Sequence, residues 1–338
     1  MSYSAAVRES RRHYDLGHAE RDFVNLVRYA TLAASSHNTQ PWKFKLQPQS
    51  ITILPDSSRR CPAVDPDDHH LFASLGCAAE NLLLAAQAAG FRGELSYDPA
   101  EQALRANLEA AAPYRSALFE AIPSRQCTRS EYDGTALSAS QLRLLEEAGR
   151  GSGVSVLFLS DRKQREQVAE YVAEGNTAQF ADPEWAEELQ SWIRFNARDA
   201  LRTGDGLYGP VMGSPDVPRW VGKLFMRFAF SAKTQNRKDT AHIRSSPVIA
   251  IFSSEVDDER HWIEAGRCYE RLALQAAALG LRTAFINQPV EVPRLRSQFA
   301  TFLGIGSRRP DLVVRIGRGP DMPRTLRRPV EEVICEVR

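Results

Sequence analysis

Residues 76–91, GCAAENLLLAAQAAGF, recur in outline at residues 266–281, GRCYERLALQAAALGL. The two stretches align without a gap at a constant offset (266 − 76 = 190). The identical pairs are Gly76/Gly266, Glu80/Glu270, Leu82/Leu272, Leu84/Leu274, Ala86/Ala276, Ala88/Ala278 and Gly90/Gly280. Alanine-rich helices resemble one another by chance, but the shared glutamate and both bounding glycines favour an internal duplication. The apolar content of each stretch predicts a buried helix in each half of the chain.

The sequence around the two helices repeats as well. A short strand is predicted after each one, ELSY (94–97) in the first half and TAFIN (283–287) in the second. Each half also opens with a helix that leads into a strand, WKFKL (42–46) or SGVSVLFL (152–159). Further strands are predicted at SPVIAIF (246–252) and DLVVRIG (311–317). This pattern predicts an α+β fold with two pseudo-symmetric halves, residues 1–118 and 119–338.

The second half is longer because an insertion at about 161–245 separates its first two strands. The insertion is predicted to be helical at both ends and is interrupted by Gly and Pro in the middle. Six of its aromatic side chains are expected to be buried: Trp185, Trp192, Trp220, Phe225, Phe228 and Phe230. Two interpretations stay open, an extra helical pair packed on the scaffold or a lid over a ligand.

Composition excludes several classes of function. Lys and Arg (43) nearly balance Asp and Glu (42), so no bulk charge attracts nucleic acid or an anionic membrane. We find no 18-residue apolar span and no apolar signal segment in residues 1–23, and we therefore expect a cytoplasmic protein without a membrane partner. The five cysteines are odd in number and widely spaced, which predicts free thiols. The adjacent His69 and His70 are expected to point apart, so no metal site is predicted.

A cluster of small polar residues lies where the first helix must end. In AASSHNTQPWKF (33–44), Ser35 to Gln40 compete for backbone hydrogen bonds, and Pro41 prevents the helix from continuing. Such a cluster is suited to binding the polar edge of a ligand.

A different segment, GDGLYG (204–209), matches the G-x-G-x-x-G dinucleotide fingerprint, but it follows a polar, helix-like stretch instead of a strand. We therefore do not predict a Rossmann site there.

A second candidate site is IPSRQCTRSEYDG (122–134), which places Arg125 and Arg129 four residues apart. Paired arginines suit a phosphate monoester, although spacing alone is more typical of a solvated basic turn. The tail RIGRGPDMPRTLRRPVEEV (315–333) adds Arg318, Arg324, Arg327 and Arg328 in a segment stiffened by proline. Several converging arginines would make a strong anion site.

Together these motifs resemble those of the flavin-dependent nitroreductase superfamily. AASSHNTQPWKF resembles its P-S-x-x-N-x-Q-P-W signature, with Ala34 in place of the proline. SRQCTR (124–129) resembles its R-x-S-x-R stretch, with Cys127 where serine is usual. Ordinary members carry both signatures on a shorter chain that forms homodimers, whereas here they are split between the halves, as in the fused Acg-type branch. The resemblance implies a nitroreductase-like fold in which one chain mimics the homodimer and keeps one composite flavin site.

The resemblance also implies FMN as the cofactor and assigns its contacts. The arginines would bind the phosphate, Gln126 and Cys127 would lie beside it, the polar cluster would bind the pyrimidine edge, and INQPVE (286–291) would approach the ring. The implied contact residues are Ser35, Ser36, His37, Asn38, Arg125, Gln126, Cys127, Arg129, Gln288, Pro289, Arg318, Arg327 and Arg328. For His37 a loop histidine with one backbone hydrogen bond is the simpler interpretation, and a general acid is the alternative.

The implied activity is a ping-pong transfer of hydride from NAD(P)H through FMN to a nitroaromatic or quinone-like acceptor, without a catalytic protein residue. One alternative is a non-catalytic protein that sequesters FMN under a closed insertion, and another is a flavin-free relative of the fold. The chain is expected to be a monomer with pseudo-dimer symmetry or a further homodimer. The sequence does not distinguish NADH from NADPH.

Overall fold

Two β-sheets, one for each half, form the framework of the chain, and a computed structural model describes residues 2–16 and 19–335 of it. The first sheet contains β1 (Trp42–Gln47), β2 (Ser50–Pro55), β3 (Phe91–Asp98), β4 (Ala103–Ala110) and β11 (Ile334–Cys335), in the order β11-β1-β2-β4-β3. The second contains β5 (Val154–Leu159), β8 (Val248–Ser254), β9 (Arg282–Phe285) and β10 (Arg309–Gly317), in the order β5-β8-β10-β9. The short strands β6 (Ile193–Arg194) and β7 (Leu207–Tyr208) pair within the insertion.

Helices pack on both sheets and fill the space between them. They are α1 (Tyr3–Ser10), α2 (Ala19–Thr31), α3 (His69–Ala88), α4 (Ala117–Ala121), α5 (Ala139–Gly149), α6 (Arg162–Phe180), α7 (Pro183–Trp192), α8 (Ala197–Thr203), α9 (Arg219–Phe228), α10 (Ala232–Arg244), α11 (Glu259–Ala278), α12 (Gln288–Glu291), α13 (Pro293–Leu303) and α14 (Val330–Val333). The predicted α+β fold is therefore confirmed. The predicted boundary between the halves falls inside α4.

The two helices of the sequence repeat, α3 and α11, cross each other at the centre of the molecule. A Cβ atom on Gly76 would lie 1.9 Å from the carbonyl oxygen of Ile263, and one on Gly266 would lie 1.9 Å from that of Ala73. Only glycine allows the two backbones to approach this closely. The aligned glycines thus have equivalent places at the crossing, which is what a duplication would produce.

The last described strand ties the two halves together. β11 pairs in parallel with β1, and Phe44 lies opposite Ile334. The tail thus leaves the second half and completes the sheet of the first. The strand predicted at WKFKL is β1, and its first residue, Trp42, is fully buried in the core. The preceding helix ends at Thr31, earlier than Ala34, because the amides of Leu32 and Ala33 bond three residues back instead of four.

The insertion is built from α6 to α10, and its aromatic residues divide into two groups. Trp185 is buried, and Trp192 and Phe230 are partly buried against the same cluster. Trp220, Phe225 and Phe228 have exposed fractions of 71%, 53% and 73%, so the expectation that they are buried is wrong. All three belong to α9, whose amphipathic pattern indicates a helix but not what covers its apolar face.

One helix has the length and apolar composition that a membrane span requires, contrary to the expectation that no such span exists. It is α3, whose most apolar window has a mean hydropathy of 1.3. This window is 83% buried inside the protein. Its apolar residues pack against α2 and α11, and α3 is thus a core helix.

Candidate functional site

A cavity of about 570 Å³ lies where the two halves and the insertion meet. Ser35, Ser36 and His37 line it from the first half, and Arg129 and Phe285 line it from the second. The insertion closes another side with apolar groups, among them Phe180, Trp185, Met226 and Phe230. Its volume is in the range of pockets that hold cofactors and other small molecules. Both sequence signatures therefore contribute residues to one cavity.

One region of the cavity is positively charged. Arg129, Lys238 and Arg315 line it, and His242 lies beside them. Burial lowers the pKa of Lys238, the adjacent Asp239 carboxylate opposes that shift, and the neighbouring Arg129 and Arg315 lower the pKa further. Burial also lowers the pKa of His242 to about 3, with contributions from Arg315, Lys238 and Arg129, so its imidazole is neutral at pH 7. The three cations repel one another, and an anion between them would relieve that repulsion.

The partners of these cations leave one guanidinium available. Arg315 donates to the Thr128 carbonyl over 2.9 Å and lies over the Tyr132 ring at 4.2 Å. Lys238 donates to the Met212 carbonyl over 2.7 Å. For the half-buried side chain of Arg129, no hydrogen bond or ion pair is seen among residues 2–16 and 19–335. Arg129 is thus the group best placed to bind an added anion.

The backbone of the polar cluster is strained where it borders the cavity. His37, Asn38 and Gln40 have φ of 47°, 54° and 55°, in the left-handed region that non-glycine residues rarely adopt. Burial lowers the pKa of His37 to about 4, and Arg129 and His70 lower it as well. His37 is therefore a neutral imidazole at pH 7. Strain of this kind is found at ligand sites, where the surrounding structure holds it.

Two side chains of the cluster point away from the cavity and hold other segments. Asn38 donates through Nδ2 to the Gly206 carbonyl over 3.1 Å and to the Leu326 carbonyl over 3.3 Å. Gln40 donates to the Gly204 carbonyl over 2.9 Å and accepts from the Arg328 amide over 2.9 Å. The polar cluster therefore anchors both the insertion and the tail. Asn38 does not line the cavity, so its position does not support a contact with a ring edge.

Arg125 also lies outside the cavity. Its guanidinium is 3% exposed, forms an ion pair with Glu270 at 2.9 Å and donates to the Leu32 carbonyl over 2.8 Å. Its neighbour Gln126 is buried, donates to the Thr128 hydroxyl and accepts from Arg324. Cys127 has a half-buried free thiol, and its backbone forms an isolated parallel β-bridge with Thr283 of β9. Of this predicted stretch, only Arg129 reaches the cavity.

The tail arginines do not line the cavity, and Arg324, Arg327 and Arg328 have structural partners. Arg327 donates to the carbonyls of Thr31, Leu32 and Ala33 and so caps the end of α2. Burial lowers its pKa to about 9. Arg328 lies near Asp56, at 3.6 Å, and Arg318 is half-buried outside the cavity. Their positions do not support the predicted phosphate contacts.

Of the two contact residues predicted in the segment INQPVE, one lines the cavity and the other does not. Gln288 lines the cavity, donates to Asn176 over 3.2 Å and leaves its buried Oε1 without a hydrogen bond. An unpaired buried acceptor is costly, and a ligand donor would satisfy it. Pro289 is buried in α12 and does not line the cavity. Of the thirteen predicted contacts, the structure brings together Ser35, Ser36, His37, Arg129 and Gln288.

Sequence reasoning missed Lys238, His242 and Arg315. Arg315 had a signal, because a single arginine inside the otherwise apolar strand DLVVRIG must have a buried partner or face a site. Lys238 and His242 lie on α10 in a polar stretch, NRKDTAH (236–242), which is also typical of a solvated helix. Periodicity could not show that this face is turned inward.

The two adjacent histidines lie together, so the expectation that they point apart is wrong. Their ring centroids are 4.7 Å apart, and ligand-capable atoms of Asp65, His69 and His70 lie within 4.8 Å of one another. The Asp65 carboxylate accepts from the His70 and Leu71 amides over 2.9 Å each and caps α3. His69 contacts the Asp311 carboxylate at 3.2 Å. Because these groups bond within the fold, we assign no ion to them.

Comparison with known proteins finds relatives that match most of the length of this chain. No protein-family model matches the chain. "Putative NAD(P)H nitroreductase Rv3131" from Mycobacterium tuberculosis is 25% identical over 327 residues, which is 90% of this chain and 88% of that protein. "Putative NAD(P)H nitroreductase acg" from the same species is also 25% identical over 327 residues, 91% of this chain and 93% of that protein.

Solved structures give weaker matches. The FMN-dependent nitroreductase NfnB from Mycobacterium smegmatis, in complex with NADPH, has a TM-score of 0.44 at 14% identity and covers 66% of this chain and 98% of its own. A nitroreductase with bound FMN from Bacteroides fragilis has a TM-score of 0.38 at 16% identity and covers 61% of this chain and 90% of its own. The relatives that match nearly the whole chain are those named NAD(P)H nitroreductases, the Acg proteins included, and the family resemblance seen in the sequence motifs is confirmed.

Proposed function

We propose that this chain is an FMN-dependent NAD(P)H oxidoreductase of the nitroreductase type, with one flavin site in the cavity between its halves. The observation that carries the proposal is the cluster of the half-buried Arg129 and Lys238 with the buried Arg315, which has an unpaired guanidinium and lines a largely apolar cavity of about 570 Å³. The names of the relatives, NAD(P)H nitroreductases over nine-tenths of the chain, support the same activity.

The residues present fit the two chemically different parts of FMN. A phosphate dianion would be bound by Arg129, Lys238 and Arg315, of which Lys238 and Arg315 also interact with the Asp239 carboxylate and Arg129 has no ion-pair partner in the described part of the chain. A flat, largely apolar ring system suits the walls that Phe285 and the insertion provide. The polar edge of such a ring needs donors and acceptors, which the hydroxyls of Ser35 and Ser36 and the unpaired Oε1 of Gln288 supply.

When bound, FMN would supply the hydride chemistry, taking a hydride from a nicotinamide and passing electrons to a second acceptor in a ping-pong sequence. The chain itself would bind, orient and exclude water. Its fixed cations favour negative charge in the cavity, and the apolar residues of the insertion lower the local polarity, which strengthens that effect. His37 and His242 are neutral at pH 7 and can donate or accept a hydrogen bond without adding charge.

A titration of the purified protein with FMN tests the assignment. We expect Arg129→Ala to weaken FMN binding by about 10- to 100-fold, because it removes charge-assisted hydrogen bonds to the phosphate. Arg92→Ala, at an exposed ion pair with Glu109 on the first sheet, is the matched control and should bind FMN as the unmodified chain does. If Arg129→Ala binds FMN with unchanged affinity, the phosphate site lies elsewhere.

A second candidate function is sequestration of FMN without turnover. The observation that favours it is the share of the cavity wall that the insertion provides, since the same residues that exclude water could exclude a nicotinamide. Anaerobic addition of NADH or NADPH to the FMN-loaded protein separates the two. Bleaching of the flavin absorbance supports the oxidoreductase, and retention of a bound, unbleached flavin supports sequestration. The nitroaromatic or quinone-like acceptor, the cytoplasmic location and the oligomeric state stay predictions.

A further inference from the structure

The outer face of α9 carries an apolar stripe that nothing in the described part of the chain covers. Trp220, Leu224 and Phe228 are four residues apart and therefore lie on one side of the helix. Their exposed fractions are 71%, 53% and 73%. Large aromatic and aliphatic side chains at this spacing form a continuous apolar surface, and such surfaces mark interaction sites.

The same region is strongly basic. Between Val217 and Lys238 the sequence contains no Asp or Glu, although the whole chain has 43 basic and 42 acidic residues. The basic residues of this range are Arg219, Lys223, Arg227, Lys233, Arg237 and Lys238. Except for Lys238, which points to the cavity, all are exposed, and none of these five forms an ion pair within residues 2–16 and 19–335. The near-zero net charge of the chain therefore conceals a local cationic patch.

The inner face of α9 fixes the helix against the protein. A Cβ atom on Gly222 would lie 2.0 Å from the Phe195 ring, so the helix packs closely there. Val221 and Met226 line the cavity from the same face. Because α9 is held on one side by the cavity wall, its stripe cannot turn inward without losing these contacts.

We propose that α9 is an interfacial helix that docks the chain on an anionic lipid surface, with Trp220, Leu224 and Phe228 at the headgroup level. Lys223 and Arg227 flank the stripe on the exposed surface of α9, and basic residues next to Trp, Phe and Leu are typical of helices that bind in the plane of a membrane interface. Each basic residue near an anionic surface strengthens partitioning about fivefold. A second copy of the chain is a poorer occupant, because a two-fold pairing would place the same cations opposite one another. The proposal revises the sequence-based expectation of no membrane partner, which rested on the balanced net charge and on the absence of an apolar span.

The docking orientation has a consequence for the cavity, and this step rests on the proposed function. With α9 at the lipid surface, the cavity wall formed by Val221 and Met226 lies next to the bilayer. An acceptor dissolved in the lipid phase would then be concentrated beside the cavity wall, whereas a water-soluble one would not. A lipid-soluble quinone fits, and the net reaction balances as NAD(P)H, one proton and quinone giving NAD(P)⁺ and quinol.

Co-sedimentation of the full chain with vesicles tests the docking. Vesicles of phosphatidylcholine alone are compared with vesicles that also contain phosphatidylglycerol, at low and high salt. We expect binding only with the anionic lipid, and weaker binding at high salt. The variant with Arg219→Gln, Lys223→Gln and Arg227→Gln should partition about 100-fold less, since it lacks three basic residues.

A second variant tests the stripe, and a third controls for it. Trp220→Ser with Leu224→Ser and Phe228→Ser should lose binding to the anionic vesicles. Tyr114→Ser with Leu144→Ser and Val256→Ser removes three exposed apolar residues from other elements and should bind as the unmodified chain does. FMN content and thermal unfolding of each variant report folding. Because vesicle binding is measured without turnover, a chain that binds vesicles but lacks FMN contradicts the proposed function and leaves the docking proposal supported.

Three outcomes would overturn the docking. The first is a failure of the unmodified chain to bind anionic vesicles, and the second is equal binding by the stripe variant. The third is a size measurement by light scattering in which the unmodified chain is a dimer and the stripe variant is a monomer, because α9 would then pair with a second copy.

Discussion

Arg125 and Glu270 form a buried ion pair that joins the start of the second half to its long central helix, with 2.9 Å between Nε and Oε1. The contact is an ion pair without hydrogen-bond geometry, and the two side chains are 3% and 0% exposed. Glu270 also accepts from the Ala34 amide over 3.4 Å. The pair thus connects α11 to the segment that begins the polar cluster.

Breaking this pair should destabilise the protein without removing FMN. We expect Arg125→Met to lower the free energy of unfolding by about 3–5 kcal/mol, because it leaves a buried carboxylate unpaired. Adding Glu270→Met should recover most of the free energy of unfolding that Arg125→Met loses. Urea unfolding measures both. Arg92→Ala, at an exposed pair, should change stability by less than about 1 kcal/mol. If the variant with Arg125→Met and Glu270→Met is stable but no longer binds FMN, Arg125 would be a residue that binds the FMN phosphate after all.

The glycines at the α3–α11 crossing provide a second prediction. Gly→Ala inside a helix ordinarily stabilises by about 1 kcal/mol. At Gly76 and Gly266 we expect the opposite sign, with a loss of about 1–3 kcal/mol for each, because the added Cβ would meet a backbone carbonyl at 1.9 Å. Thermal or urea unfolding measures the change. Because both methyl groups press on one crossing, the double variant should lose less than the sum of the two. Stabilisation by either alanine would contradict the described approach of the helices.

The buried histidines predict a particular pH dependence of stability. His37 and His242 have pKa values lowered to about 4 and about 3 in the folded protein, below the ordinary 6.5. Between pH 6.5 and these values the unfolded chain binds more protons than the folded one, so the two imidazoles make stability fall as pH falls. The stabilisation is complete above pH 6.5 and is lost progressively below it.

Urea unfolding at several pH values, with the unmodified chain and a His37→Gln, His242→Gln double variant, isolates this contribution. The variant should have a slope of stability with pH that is shallower by up to about 1.4 kcal/mol per pH unit for each histidine. Above pH 7 the two slopes should coincide. Burial raises the pKa of Asp65 and of Asp311 to about 7, so these two carboxyl groups make stability rise as pH falls. This effect is the same in the unmodified chain and in the variant, and it cancels in the comparison. Parallel curves below pH 6 would show that the imidazoles are not buried as described.

The polar cluster should control the mobility of the insertion and the tail. We expect Gln40→Ala to speed hydrogen exchange of the Arg328 amide by about tenfold, because that amide loses its acceptor. Exchange near Gly204 should also increase. Ser58→Ala, in an exposed loop of the same half, is the control and should leave both regions unchanged. Mass spectrometry of deuterated peptides measures the effect, and unchanged exchange at residues 326–330 would rule out the anchoring role.

Local patterns predicted the parts of the fold that are set by local chemistry. The apolar runs became β5, β8 and β10, and the two repeated stretches became the helices α3 and α11. These features depend on residues close in sequence, so the sequence displays them directly. Arg129, Ser35, Ser36 and His37 were placed at a common site only because two motifs resemble those of one family.

The rest depended on contacts between distant parts of the chain. Arg125 was predicted to bind phosphate, but Glu270 pairs with it from α11. Asn38 was predicted to bind the ring edge, but carbonyls of the insertion and tail take its donors. The strand arginine Arg315 and the helix residues Lys238 and His242 became site residues only because the insertion folds back over the cavity. Sequence spacing shows which groups can bind an anion but not which of them already has a partner.

The parallel pairing of β11 with β1 governs when the protein can fold during its synthesis. Residues 42–110 supply the first four strands of a sheet whose edge is completed only by residues 334–335. The ribosome must therefore make nearly the whole described chain before the first sheet can close, and Arg327 caps α2 only at that late stage. Until then the edge of β1 is open to other strands, and a chaperone that shields it would act on the first half while the second is still being made.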